Sequence, residues 1–347
     1  MKKTSKIMSL VLAGAMVLSM TACAGNTAET TSAAAKTQET AADTASKAEE
    51  TTGAEASESE TAAKAEGTTY KIGVLQLVQH TALDAANDGF IAALDDAGIA
   101  YEVDQQNASG DQSACQTVAS KFANEKKDLI LAIATPAAQA MVGAVEDTPV
   151  LITAVTDPAE SGLVDTNEKP GANVTGTSDL TPVKEQIDLL KQLVPEAKTV
   201  GVLYCSAESN SKIQADMAKE AIAAAGMESK EYTVSSSNEI QTVVQSMVGA
   251  VDAVYAPTDN VIAAGMATVG MVAGDNNLPV ICGEAGMVQN GGLATYGIDY
   301  YQLGYMTGQQ AVKILTEGAS PADMPIEYLP AEKCELTVNE ETAQTLG

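Results

Sequence analysis

The chain contains no arginine and no tryptophan, and among its 347 residues there are one histidine, His80, and two phenylalanines. Without arginine, no guanidinium fork can grip a carboxylate or phosphate through two parallel hydrogen bonds. The formal net charge of −27 excludes a nucleic-acid partner, because phosphate binding needs a basic surface. That acidity serves the solubility of an exposed surface instead. Any Ser-His-Asp triad would have to use His80, and no G-x-S-x-G elbow exists to present the serine. The phosphate-binding GxxxxGK[ST] loop and the dinucleotide GxGxxG fingerprint are also absent. Besides Cys23, the cysteines are Cys115, Cys205, Cys282 and Cys334, with neither CxxC spacing nor clustering. A zinc site is therefore not expected, and a metal site would rest on His80 and carboxylates alone. Outside the cell the four could pair, in a pattern sequence does not reveal. Cys205 and Cys282 end apolar runs and read as buried free thiols. These absences predict neither catalysis nor a cofactor.

The amino terminus carries an address. Lys2, Lys3 and Lys6 precede an apolar run over residues 7–20, followed by Met20-Thr21-Ala22-Cys23. A positive flank, a short apolar core and small residues before a cut are the parts of a signal peptide, and the run is short for a membrane span. The cysteine after the small residues looks like a bacterial lipoprotein signal, which would make Cys23 the acylated first residue of the mature chain. Met20 stands where such signals usually carry leucine. Residues 24–67 are almost only Ala, Thr, Glu, Ser and Lys, with no aromatic residue and no Val, Ile, Leu or Met. Such a segment cannot bury enough apolar surface to offset its ordering entropy, so it is expected to be a disordered tether. As a coil it would span about 35–40 Å.

The rest of the chain repeats itself. Lys71-Ile72-Gly73-Val74-Leu75 matches Thr199-Val200-Gly201-Val202-Leu203. Asp128-Leu129-Ile130-Leu131-Ala132 matches Asp252-Ala253-Val254-Tyr255-Ala256, and Pro149-Val150-Leu151-Ile152 matches Pro279-Val280-Ile281-Cys282. Near-constant offsets across three pairs argue for two copies of one strand–helix plan. In each copy, apolar strands alternate with helices such as the one carrying Ala85, Phe90, Ile91, Leu94 and Ala97 and closing at Gly98. Continuous apolar strands alternating with helices mean a parallel sheet covered on both faces. The expected fold is α/β: two doubly wound parallel-sheet lobes joined by a hinge of several crossings. The expected divisions are a signal peptide over 1–22, acylated Cys23 and tether over 23–68, lobe 1 over 69–178 and lobe 2 over 179–294. A return to lobe 1 over 295–325 and a closing strand and helix over 326–347 complete the plan.

Ligands of open parallel sheets bind beyond the carboxyl ends of the strands. The loops there are residues 76–81, Thr135-Pro136, Thr156-Asp157-Pro158, residues 206–211, residues 257–260 and residues 283–286. Any one of these polar loops could merely cap the helix that follows. Together they sit at one end of each sheet and predict a cleft between lobes. The candidate ligand-binding residues are Gln79, His80, Thr135, Pro136, Thr156, Asp157, Ser209, Asn210, Thr258, Asp259, Asn260, Glu284 and Asp299. His80 reads as a ligand contact or as a residue entering the first helix.

Several of these runs carry a family resemblance. Residues 71–80 (KIGVLQLVQH), 132–140 (AIATPAAQA), 153–158 (TAVTDP), 176–179 (GTSD), 255–260 (YAPTDN) and 294–301 (ATYGIDYY) resemble an ABC-transporter substrate-binding family. The similarity spans residues 70–318. It implies the type I periplasmic-binding fold, and the members it resembles most are associated with uptake of tryptophan, tyrosine or related amino acids. An amino acid needs an anion clamp, a cation partner and a side-chain pocket. With no arginine, the anion clamp falls to hydroxyls and amides at helix starts, with Thr135 and Thr156 at equivalent strand ends. Asp259 is placed to hold the ammonium, with Asp157 and Asp299 as competitors. Tyr300, Pro136, Pro158, Leu83 and Met287 are candidate walls.

The resemblance implies a small-molecule solute, ABC permease and ATPase partners, and a monomer lipid-anchored on the outer face of a bacterial cell membrane. A ligand-sensing receptor, or an importer component for a sugar or nucleoside, would use the same architecture.

Overall fold

Two copies of one alternation lay down two sheets of identical strand order. The structure, a computed structural model, describes residues 67–347. The expected signal peptide, Cys23 and all but the end of the expected tether lie outside the described residues. The first copy comprises β1 (Tyr70–Gln76), α1 (Thr81–Asp96), β2 (Tyr101–Asn107), α2 (Gln112–Glu125), β3 (Leu129–Ile133), α3 (Thr135–Val142), β4 (Val150–Val155) and β5 (Val174–Ser178). After α4 (Val183–Leu193), the second copy comprises β6 (Thr199–Cys205), α5 (Ser209–Ala224), β7 (Glu228–Val234), α6 (Ile240–Met247) and β8 (Ala253–Ala256). It continues with α7 (Asn260–Ala264), α8 (Met266–Asp275), β9 (Val280–Cys282), α9 (Ala285–Gln289) and β10 (Ala294–Gly297). The chain closes with α10 (Tyr300–Glu317), β11 (Glu327–Tyr328), β12 (Glu335–Val338) and α11 (Glu340–Leu346).

The sheets run β11-β5-β4-β3-β1-β2 and β12-β10-β9-β8-β6-β7. Replacing each strand of the first copy by its counterpart in the second converts one order into the other. All neighbours pair in parallel except β10 and β12, which are antiparallel. β3 (LILAI) and β4 (VLITAV), apolar but for Thr153, are wholly buried, as central strands covered on both faces must be. The outer strands β2 and β7 carry charged and amide side chains on exposed positions, which discourages further strand pairing. Both phenylalanines, Phe90 and Phe122, are fully buried in the core of lobe 1, so neither is available to a ligand.

Three crossings join the lobes: residues 179–182 between β5 and α4, residues 298–299 between β10 and α10, and residues 329–334 between β11 and β12. The sequence places the second crossing within residues 293–299, with the return to lobe 1 beginning at residue 295. In the structure Ala294–Gly297 is instead β10 of the lobe 2 sheet, paired with β9 and β12. It is the counterpart of β5, and its buried Ala294 and Thr295 belong to that sheet. The C-terminal segment likewise divides, β11 joining the lobe 1 sheet and β12 the lobe 2 sheet.

After the second crossing, α10 locks onto α1 through glycines. A Cβ on Gly304 would lie 1.8 Å from the carbonyl oxygen of Ala86, and one on Gly89 2.0 Å from that of Tyr301. Only hydrogen fits at these positions, so the helix backbones touch. This joint ties the hinge segment rigidly to lobe 1.

Candidate functional site

The strand ends of both sheets face one another with the first two crossings between them. Lobe 1 contributes His80 and Leu83 at the start of α1, Ala154 near the end of β4, and Tyr300 at the start of α10. The first crossing contributes Asp179, and lobe 2 contributes Thr258, Asp259, Asn260, Ala263 and Glu284. These residues enclose a cavity of about 10 Å³. A wider groove of about 520 Å³ adjoins it at Asn260 and is lined by Leu77, Val78, Pro136, Glu208 and Val261, among others.

Backbone strain aims the lobe 1 loops. Ala134, between β3 and α3, has φ of 81°, and Ala154 has φ of 54° where the β4–β5 register shifts. An alanine with positive φ persists only where its surroundings impose it, and such positions gather at binding sites. At Ala134 the turn delivers Thr135, whose buried Oγ1 has no hydrogen-bond partner.

The lobes are latched shut by polar contacts. Gln214, wholly buried on α5, donates from Nε2 to Thr156 Oγ1 of lobe 1 at 3.0 Å and also to Thr258 Oγ1 of its own lobe. His80 Nε2 lies 3.3 Å from Asn260 Oδ1 across the cleft. Gln139 Nε2 reaches Ser209 Oγ at 3.4 Å, also between lobes.

The electrostatics of the cleft are one-sided. Asp179, Glu208, Asp259 and Glu284 are all buried, and no lysine lines the enclosed cavity among the described residues. Removal from water pushes the Asp179 carboxyl up to about 6, against the hydroxyls of Tyr300 and Thr156. It pushes Glu284 up to about 7, against two backbone amides. Burial also raises Asp259, and Glu208 is raised by burial and by its neighbour Asp259. His80 is moved the other way, lowered by burial, with Asn260 and Asp84 opposing.

Three of the candidate acids are helix caps. Asp259 accepts from the amides of Ile262 at 2.8 Å and Cys205 at 2.5 Å. Glu284 accepts from the amides of Met287 at 2.8 Å and Gly286. Asp299 caps α10 from an exposed position and lines a separate groove on the hinge side. Asp157, half-buried, is held by the Glu160 amide and Asn167 Nδ2, each at 3.0 Å. Of the other candidates, Gln79 is exposed, and Asn210 is buried and donates to Glu208 and to the Thr258 carbonyl. Met287 packs into the lobe 2 core.

Asp179 escaped the sequence reading as a site residue. Its Oδ2 accepts from the Tyr300 hydroxyl at 2.7 Å, and its buried Oδ1 has no hydrogen-bond partner. It stands directly after the fifth strand of the first copy, at the same end of the sheet as the other strand-end loops. Gln214 was signalled only by being polar among Ala215, Ala218 and Ile222 on the buried side of α5.

Two matched α/β lobes, three crossings and a polar cleft between them are the build of a solute-binding protein. The chain belongs to the ABC transporter substrate binding protein family, whose sequence model matches residues 71–347. It is 41% identical to a tyrosine-binding protein of Clostridioides difficile (strain R20291), over 100% of this chain and 93% of that one. Among solved structures it is similar to an ABC domain from Streptococcus pneumoniae in complex with L-Trp, with 39% identity and a TM-score of 0.78. It is also similar to the ligand-free, open structure of a substrate binding protein with adhesive properties from Clostridium difficile, with 47% identity and a TM-score of 0.62. Each alignment covers 80% of this chain and 95% of the other. Over the same share of each chain, the superposition is better on the tryptophan complex than on the ligand-free, open structure. Proteins of this family work outside the cytoplasm as the solute-binding component of an ABC importer, and no described helix is long and apolar enough to cross a membrane.

Proposed function

We propose that the protein captures an aromatic α-amino acid, tyrosine or tryptophan, and hands it unchanged to its permease and ATPase. In this reading it is a monomer, held at the outer face of the membrane by acylated Cys23. The observation that carries the ligand class is the set of four buried carboxylates facing a cleft with no cation of its own. Burying uncompensated charge is costly, and a ligand ammonium relieves it. Asp179 is the ammonium partner, because its Oδ1 alone among these carboxylate oxygens is buried without a hydrogen-bond partner. Asp259 and Glu284 support the same charge while capping α7 and α9. The ligand carboxylate is held by the amides and Thr135 hydroxyl at the start of α3, an eight-residue helix whose N-terminus favours an anion. The similar proteins named for tyrosine and solved with L-Trp support the aromatic side chain. The enclosed cavity is far smaller than any amino acid, so entry requires the lobes to part.

Titration calorimetry with L-tyrosine, L-tryptophan and L-phenylalanine tests this. At least one should bind, and Asp179→Asn should weaken it by about 2–5 kcal/mol, since the ammonium would stay buried without its partner. Failure of all three would end the aromatic reading. Sustained conversion of the ligand by pure protein would end the transport reading.

A further inference from the structure

We propose that His80 is a hydrogen-bond acceptor for the ligand ammonium, held in the accepting tautomer by Asn260 and Glu208 from the opposite lobe. The inference rests on the amino-acid reading above and adds the residue that counts the ammonium's hydrogens.

The argument begins at Glu208. Its Oε2 accepts from Asn260 Nδ2 at 2.6 Å, from the Asn260 amide at 3.3 Å and from Asn210 Nδ2 at 3.2 Å. The backbone amide of Asn260 and Nδ2 of Asn210 already donate to this oxygen independently of the Asn260 side chain, so it faces that side chain as an acceptor and the NH₂ of Asn260 turns to it. The other end of that amide, Oδ1, therefore faces His80 Nε2 at 3.3 Å. Opposite a carbonyl oxygen, Nε2 must carry hydrogen.

Burial lowers the proton affinity of His80, so the ring is neutral and its one hydrogen is on Nε2. Nδ1 is left with a lone pair, sealed from solvent and without a partner. Asp179 Oδ1 is in the same condition, and both residues line the same small cavity. That cavity of about 10 Å³ is room for one water-sized group. A hydroxyl brings one hydrogen and no charge. An ammonium brings three hydrogens and the positive charge that Asp179, Asp259 and Glu284 lack. It satisfies Asp179 Oδ1 and His80 Nδ1 together. Asn260 lies on lobe 2 and His80 on lobe 1, so the tautomer is enforced only when the lobes meet.

His80 is the only histidine of the chain, so a tag-free protein labelled with ¹⁵N-histidine has one imidazole to observe. Saturated with L-tyrosine at neutral pH, it should show a neutral ring protonated on Nε2, with Nδ1 shifted by an accepted hydrogen bond. Asn260→Asp, which places an oxygen against Glu208, should disturb that tautomer preference. In parallel, His80→Phe should weaken L-tyrosine and L-phenylalanine by the same factor, about ten- to hundredfold, as for a hydrogen bond to a charged group. A ring protonated on Nδ1 in the tyrosine complex overturns the inference while leaving the amino-acid reading intact. So does a loss confined to L-tyrosine, which would move the contact to the phenol hydroxyl. The wild-type spectrum decides the matter even if His80→Phe fails to fold. If L-tyrosine, L-phenylalanine and L-tryptophan all fail to bind the wild type, the ligand reading falls and this inference with it.

Discussion

Tyr300 donates its phenol hydrogen to Asp179 at 2.7 Å; Asp179 opens the first crossing and Tyr300 is the residue on which the second one ends. Asp179 follows β5 and Tyr300 follows β10, so this bond ties two of the three connections together at the floor of the cleft. Bending the hinge and changing the charge of Asp179 are therefore mechanically linked.

That link sets a pH dependence. Burial raises Asp179 to about 6 and Glu284 to about 7. A carboxyl raised in the folded state holds its proton better there, so the empty closed protein gains stability as pH falls from about 7 towards 4. Carboxylates such as Asp104, bonded to Lys121 and Lys127, are lowered instead, and their contribution is lost only below about pH 4. Ligand affinity runs the other way, because an ammonium must displace those protons. Calorimetry with L-tyrosine should give constant affinity from about pH 7 up to the pH at which the ligand ammonium loses its own proton, and falling affinity below about pH 7, up to tenfold per unit per proton displaced. Tyr300→Phe removes a donor from Asp179 and should move the fall to higher pH.

Closure should fail without the buried glutamine. Gln214→Leu leaves Thr156 and Thr258 without the donor they share between lobes. The closed state should lose about 1–3 kcal/mol. Small-angle scattering at saturating L-tyrosine should still show compaction for the wild type, and the variant should need more ligand to reach it.

The α1–α10 joint should be intolerant of a single methyl group. Gly304→Ala would drive its Cβ into the Ala86 carbonyl and should cost about 1–3 kcal/mol or more, seen as a fall of several degrees in melting temperature. Gly274→Ala in α8 is the control. Nothing lies within 4 Å of its Cβ position, so removing a helical glycine there should be neutral or stabilising by about 0.5–1 kcal/mol.

Anchoring is tested at the membrane. Cys23→Ala should release the protein from the membrane fraction and abolish labelling by a clickable palmitate analogue. Retention through a covalent lipid elsewhere on the chain would refute the assignment.

The lobes were legible because their signal is long and repeated. Strands such as Leu129–Ile133 and Val150–Val155, apolar but for Thr153, have counterparts in the second copy, and the paired strand orders follow from that duplication. The strand-end loops were legible for the same reason, and they placed His80, Thr258, Asp259, Asn260 and Glu284 on one cavity. Which of those acids has an oxygen to spare was not legible. Asp259 and Asp179 read alike as sequence, and only the amides of Ile262 and Cys205 distinguish them. Strand β10 is not legible as a strand, because Thr295, Tyr296 and Gly297 have the composition of a connection. It becomes a strand through its neighbours β9 and β12, one of them more than thirty residues downstream.

The acidic cleft also works as a check on empty closure. Shutting Asp179 of the first crossing against Glu284 of lobe 2, beside the buried Glu208 and Asp259, with no cation leaves the shut molecule under internal repulsion, and protons relieve it only in part. The shut shape is thereby tied to occupancy. A partner that recognises only the shut shape is shielded from false positives without having to touch the ligand.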